Sequence, residues 1–222
     1  MTSKQPATEI VIKQPLFPKK MTARELPDGT LSDHEQYSQL TLSQELWMGQ
    51  ANDYLSFEQV IFKTVNMSST SFTHLQLNNV RLTECDLANA RWTEALWHRV
   101  EAIECRMTGF LGIEAKFQDM LFKQCKANLA QFRFSTFKAT RFEECDLSDA
   151  DFQGADLTGV NFARCNLQNV EMSGAKLMGA DLRGCTIDGL RAGPQELRGV
   201  IVDTGQALAL VQAFGIVVKP LQ

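Results

Sequence analysis

The chain of 222 residues is poor in histidine, with three, and no stretch of it approaches the eighteen or so consecutive apolar residues that span a bilayer. It also lacks a cationic surplus: 22 Lys and Arg stand against 26 Asp and Glu, a formal charge of −4. A general phosphate-backbone binder carries the opposite balance, so direct nucleic-acid binding is not expected. The first twenty residues contain no apolar run of signal-peptide length, and the expectation is a cytoplasmic chain that makes no membrane contact. Walker and dinucleotide phosphate loops are absent. His34, His74 and His98 form no nucleophile–base pattern, and His98, between Trp97 and Arg99, reads as a solvated surface residue. The expectation is therefore a non-enzyme, with no catalytic residue and no cofactor.

What is present is a period of five. A large apolar residue returns in unbroken register from Phe57 to Ile187, and among these 27 positions only Ala102, Gly112 and Ala127 are small. Two residues before each lies a second, mostly small register, such as Ala90, Ala95, Ala150, Ala155 and Ala180. Helices space their apolar residues by three and four, and strands by two. Period five fits neither, so each unit is a short extended piece followed by a corner. Residues two apart on an extended piece share a side, which puts both registers inward. Glycine closes the unit at 154, 159, 174, 179, 184 and 189, where a corner requires positive φ.

The cysteines set the longer period. All six lie in the small register, at Cys85, Cys105, Cys125, Cys145, Cys165 and Cys185, a constant spacing of twenty. Four pentapeptides then make one four-sided coil, with every cysteine on the same side and coils stacked about 4.8 Å apart. A line of thiols does not converge as zinc ligands must. Disulfides between coils are disfavoured in a reducing compartment. The cysteines read as small apolar filler, in a core ladder with Phe142, Phe152, Leu157 and Phe162, and no metal site is assigned.

The units CDLSD, ADFQG, ADLTG, CNLQN, AKLMG and ADLRG, between 145 and 184, resemble the A(D/N)LXX repeat of the pentapeptide-repeat family. The resemblance extends over residues 55–189. It implies an all-β, right-handed quadrilateral β-helix, with the central Leu or Phe and the small residue both inward. It further implies two kinds of partner. Some members imitate the DNA duplex and bind type II topoisomerases, conferring quinolone resistance, and several pair through their C-terminal ends.

Three segments follow. Residues 1–54 read as an irregular segment with a PDGT turn at 27–30, leading into a capping coil in which Tyr37, Leu40, Leu42 and Trp47 fall loosely in phase. Residues 55–190 form the solenoid. Residues 191–222 read as a cap of strand, helix 204–214 and a final strand IVVK. Asp203 and Gln206 suit a capping box, and Gly215 with Ile216 suits a Schellman stop. Leu208, Val211 and Phe214 are its candidate homodimer contacts.

Charge is uneven along the rod. Residues 141–190 hold nine acids and four bases, and residues 91–140 eight bases and five acids. Asp146, Asp151 and Asp156 are candidate partner-facing acids. Leu111, Ile113 and Phe134 share one side on adjacent coils and read either as an apolar partner patch or as a local distortion in which Phe110 fills the space left by Gly112. Two functions stay open: a protein-binding solenoid, or a duplex mimic directed at a topoisomerase. The interrupted acids, small net charge and absence of inserted loops count against the second.

Overall fold

The computed structural model describes residues 11–23 and 29–219. Of the PDGT turn, Pro27 and Asp28 lie outside these residues, as does the end of the chain from 220.

Every fifth residue from His34 to Gly189 has a positive φ, between 46° and 74°. These are the corners. Only a quarter of them are glycine, and each of the others adopts a left-handed conformation that costs roughly 1–2 kcal/mol in isolation. Neighbouring coils hold them there: the corner N–H groups of Glu84 and Phe134 donate to the carbonyls of Ile103 and Gln153 at 3.0 Å. Such strain persists where the surrounding structure over-determines it.

Between corners the backbone is extended and pairs in parallel with the residue twenty positions on, as in Trp97 with Phe117 and Phe117 with Phe137. The result is a four-sided β-solenoid of about seven turns. Four strands of eight residues, Gln76–Thr83, Leu96–Ile103, Lys116–Lys123 and Thr136–Glu143, run through a corner and lie on two sides at once. The four sides are numbered here from Glu35. The third carries the cysteines.

The interior is a column of stacked side chains. Phe122 and Phe142 lie ring on ring at 4.6 Å, followed by Phe162 at 5.1 Å. Phe117 and Phe137 stack at 4.6 Å on the first side. Each fully buried side chain of this size contributes about 1.5–3 kcal/mol.

Coil geometry is present about twenty residues before the solenoid start at residue 55, in the stretch where Tyr37, Leu40, Leu42 and Trp47 fall loosely in phase. Tyr37, Leu42 and Trp47 are buried. Strands Gln36–Ser38 and Leu40–Ser43 pair with residues of the next coil. The sequence pattern is only loose in this coil because polar residues take inward-register positions at its open end. There they bond to the entering chain and to each other: Asn52 Nδ2 donates to the Leu31 carbonyl at 3.0 Å, and Tyr37 Oη donates to Glu35 at 2.6 Å.

Upstream of this coil, residues 11–18 lie outside the solenoid along the corner between the first and second sides, touching Asp119, Asn79 and Gln59 in turn. Thr22–Ala23 then pairs with Leu40 and Thr41.

At the other end the helix spans Thr204–Ala213 with Asp203 as its N-cap and the reciprocal Gln206 bond of a capping box. It stops in a Schellman pattern, with Gly215 N–H donating to Gln212 and Ile216 N–H to Val211. The expected final strand is not formed at residues 216–219, which are extended away from any strand partner and exposed. The edge they would need is covered by the helix.

Candidate interaction surfaces

The repeat's Asp or Asn performs a backbone task. Asp146, Asp151 and Asp156 each accept a hydrogen bond from the N–H two residues on, at Ser148, Gln153 and Thr158, over 2.9–3.1 Å. Asn166 and Asp181 do the same toward Gln168 and Arg183. These are Asx turns, in which a short side chain stands in for a backbone acceptor just before the left-handed corner. The carboxyl of Asp156 is held below its ordinary range by Thr158, with Lys176 adding to the effect.

Second partners, cationic at Asp151 and Asp156 and a neutral amide at Asp146, hold these acids. Arg133 reaches Asp151 at 2.6 Å, Lys176 reaches Asp156 at 3.4 Å, and Asn166 donates to Asp146 at 3.0 Å. The ion pairs run mostly between adjacent coils, as in Arg81–Glu101, Arg106–Asp86, Lys123–Glu143 and Arg191–Glu171. The basic middle and the acidic C-terminal half are thus partly stitched together where they meet. Along the rod, acids follow one another for at most two coils among the described residues, as in Asp151–Glu171 and Glu84–Glu104. Asp146, Asp151 and Asp156 also project from three successive sides of one coil, so they do not form a single cluster.

All six cysteines are buried and free. From Cys105 onward each thiol donates to the carbonyl 23 residues earlier, for example Cys125 to Ala102 at 3.3 Å and Cys185 to Phe162 at 3.3 Å. The hydrogen-bonded Cys145 thiol, helped by burial, pushes Cys165 up to about 12, and Cys165 raises Cys185 in the same way. Those two thiols stay protonated at neutral pH and are poor nucleophiles and metal ligands. Phe142, Phe152, Leu157 and Phe162 are buried beside this column.

Residues 145–184, the stretch richest in these Asx corners, match the family model for pentapeptide repeats as eight copies. The chain carries pentapeptide repeats. No curated protein matches the sequence. Among solved structures, a trypsin-treated form of QnrB1, a plasmid-mediated fluoroquinolone resistance protein, aligns with 18% identity over 90% of this chain and 98% of its own, at a TM-score of 0.42. HetL, a pentapeptide repeat protein involved in heterocyst differentiation regulation from Nostoc sp. strain PCC 7120, aligns with 19% identity over 71% of this chain and 91% of its own, at a TM-score of 0.23.

The pentapeptide core holds its register through the weak stretch. Leu111 pairs in sequence with Arg91 before it and Gln131 after it, so the backbone is not distorted. Phe110 turns inward and fills the space: a Cβ on Gly112 would lie 2.8 Å from its ring. Leu111 and Ile113 are consequently half-buried on the fourth side, while Phe134 is exposed at the corner that leaves it, its ring lying over Gly154.

The C-terminal end of the pentapeptide rod is the more apolar surface. Gln206 is buried and Leu210 packs on the last coil, whereas Leu208, Phe214, Ile216, Val217 and Val218 are exposed. Val211 is half-buried. A recess of about 90 Å³ remains between the helix and Ile187–Leu190. No helix among the described residues is long and apolar enough to cross a membrane.

Proposed function

We propose that this pentapeptide-repeat chain is a non-catalytic protein-binding rod that also pairs with a second copy of itself through its C-terminal end. The observation that carries this reading is the set of exposed apolar residues on the helix and just after it, Leu208, Phe214 and Ile216 to Val218, at an end that is already capped. Contiguous exposed apolar surface of this kind marks an association site, and a self-complementary patch closes into a two-fold dimer. The non-catalytic part rests on an interior packed solid with side chains. Light scattering tests the pairing: a particle of twice 24.9 kDa is expected, reverting to the monomer mass in Leu208→Asp/Phe214→Asp. A monomer at high concentration defeats it.

Duplex mimicry of a type II topoisomerase substrate is the weaker alternative. A mimic presents rows of unpaired anions that imitate phosphates, whereas the acids here cap their own turns and pair with bases across coils. A gyrase supercoiling assay, with and without a fluoroquinolone, separates the readings. No inhibition or protection is expected at micromolar protein, and a clear effect would restore the mimic.

A further inference from the structure

Residues 11–18 are held to the outside of the rod largely through their main chain. Their main chain is gripped by side chains that stand one above another at a single corner. Lys13 N–H donates to Asp119 Oδ1 at 3.1 Å, and Leu16 N–H donates to Asn79 Oδ1 at 3.0 Å. The Leu16 carbonyl accepts from Gln59 Nε2 at 3.2 Å. Asp119, Asn79 and Gln59 all occupy the left-handed position of the corner between the first and second sides.

The spacing is commensurate. Asp119 and Asn79 lie two coils apart, about 10 Å at the inter-strand distance, and three residues of extended chain cover about 10 Å as well. An extended peptide laid parallel to the rod axis therefore meets a polar side chain at each coil it crosses. Asn79 is anchored for the task, since its Nδ2 donates to Glu58 at 3.2 Å. Asp119 has His98 beside it at 3.9 Å, and His98 is in turn bonded to Asn78 at 2.9 Å. Asp119 and Asn79 are 5% and 7% exposed, buried by the segment they bind.

The side chains of the segment divide accordingly. Pro15 is buried and Phe17 is half-buried, with the Arg81 guanidinium 5.4 Å from its ring centre, while Leu16 between them is 60% exposed. Main-chain bonds supply affinity and alternate side chains supply selectivity, as in other modes of extended-peptide capture.

We infer that this corner is a docking site for an extended peptide of the pattern Pro-x-Phe, and that residues 11–18 are its resident occupant, held in cis until a partner segment of the same chemistry displaces them. This rests on the protein-binding reading above and gives it a lateral surface. Proline suits the occupant: position 15 offers no N–H and needs none, because the two donors used are at 13 and 16. Tethering gives the resident segment an effective concentration on the order of millimolar, so a free competitor meets a closed site.

The test uses the full chain with Lys13→Pro and Leu16→Pro, which removes both main-chain donors and alters no residue of the solenoid. NMR order parameters at the remaining amides of Val11, Ile12, Gln14 and Phe17 are expected to fall as the segment leaves the rod, with circular dichroism unchanged. A fluorescent peptide of residues 11–20 is then expected to bind this variant at least roughly tenfold more tightly than it binds the native chain. Adding Asn79→Ala and Asp119→Ala to the variant should abolish that binding. A released segment with no peptide binding overturns the proposal, as does binding that survives the alanine changes. Order parameters at those amides that stay at the native values overturn it equally, because the two donors would then hold nothing. None of these outcomes touches the C-terminal pairing, which light scattering reads separately.

Discussion

Gln206 donates from Nε2 to the Leu182 carbonyl at 2.6 Å and to the Cys185 carbonyl at 2.8 Å, so one buried amide closes the end of the β-solenoid. Both acceptors lie just past the point where the following backbone stops pairing, Ile201 N–H being bonded to the Ala180 carbonyl at 2.8 Å. The same side chain accepts from Asp203 N–H through Oε1 at 3.0 Å, tying the helix start to the rod end. A solenoid end is an open strand edge that invites further pairing, and here a helix whose one buried residue is Gln206 covers it.

Gln206→Leu should therefore cost about 1–3 kcal/mol, because the buried Cys185 carbonyl loses its side-chain donor while the Leu182 carbonyl keeps the Cys185 N–H at 3.1 Å. Urea unfolding measures the loss. Hydrogen exchange should show the helix and the last coil opening together, and a loss confined to the helix would contradict this role.

Restoring the family pattern at Gly112 should harm the protein. A leucine there would collide with Phe110, whose ring lies 2.8 Å from the added Cβ, with Phe132 at 3.3 Å. Overpacking of this kind costs about 1–3 kcal/mol. Gly112→Leu combined with Phe110→Ala should recover most of it, and the non-additivity in a double-mutant cycle is the diagnostic. Additive losses would show that the two positions do not share one space.

Inward and outward positions should respond oppositely to charge. Leu157→Asp buries an unpaired carboxylate and should prevent the C-terminal coils from folding. Asp151→Ser loses the Arg133 pair, yet a hydroxyl can still accept from Gln153 N–H, so its effect should stay within about 1 kcal/mol. Circular dichroism and thermal unfolding distinguish the two. Equal losses would refute the register.

Acid should loosen the Asx corners. Asp181 is held below its ordinary pKa by Arg183, at 2.7 Å, and by that residue's backbone N–H. A depressed carboxylate stabilises the fold fully above its unfolded pKa, about 3.9, and the contribution fades as pH falls through the lower folded value. Asp181→Asn should accordingly lower stability at neutral pH and converge on the native protein below about pH 4, flattening the acid limb of the profile. A profile as steep as the native one would show that this carboxyl does not contribute.

Much of the solenoid is legible because its information is local and repeated. Each coil touches only its neighbours, so one inward pair every five residues and one cysteine every twenty suffice to give the side count, the inward set and the register. The capping box at Asp203 is legible for the same reason, its two partners lying three residues apart. The partner-facing acids were harder to read. Their spacing placed Asp146, Asp151 and Asp156 on the surface, but whether a surface acid is free depends on what the next coil sets beside it, and Arg133 and Lys176 decide that.

The sequence by itself determined the period of five, the coil of twenty and the identity of the core. Only the tertiary structure decided the polar bonding at the open end of the first coil, the filling of Gly112 by Phe110, the pairing of charges between coils and the course of residues 11–18. The reason is physical. Periodic burial writes itself into composition, whereas Lys13 meets Asp119 across 106 residues and Leu16 meets Asn79 across 63, through single hydrogen bonds that recur nowhere else along the chain.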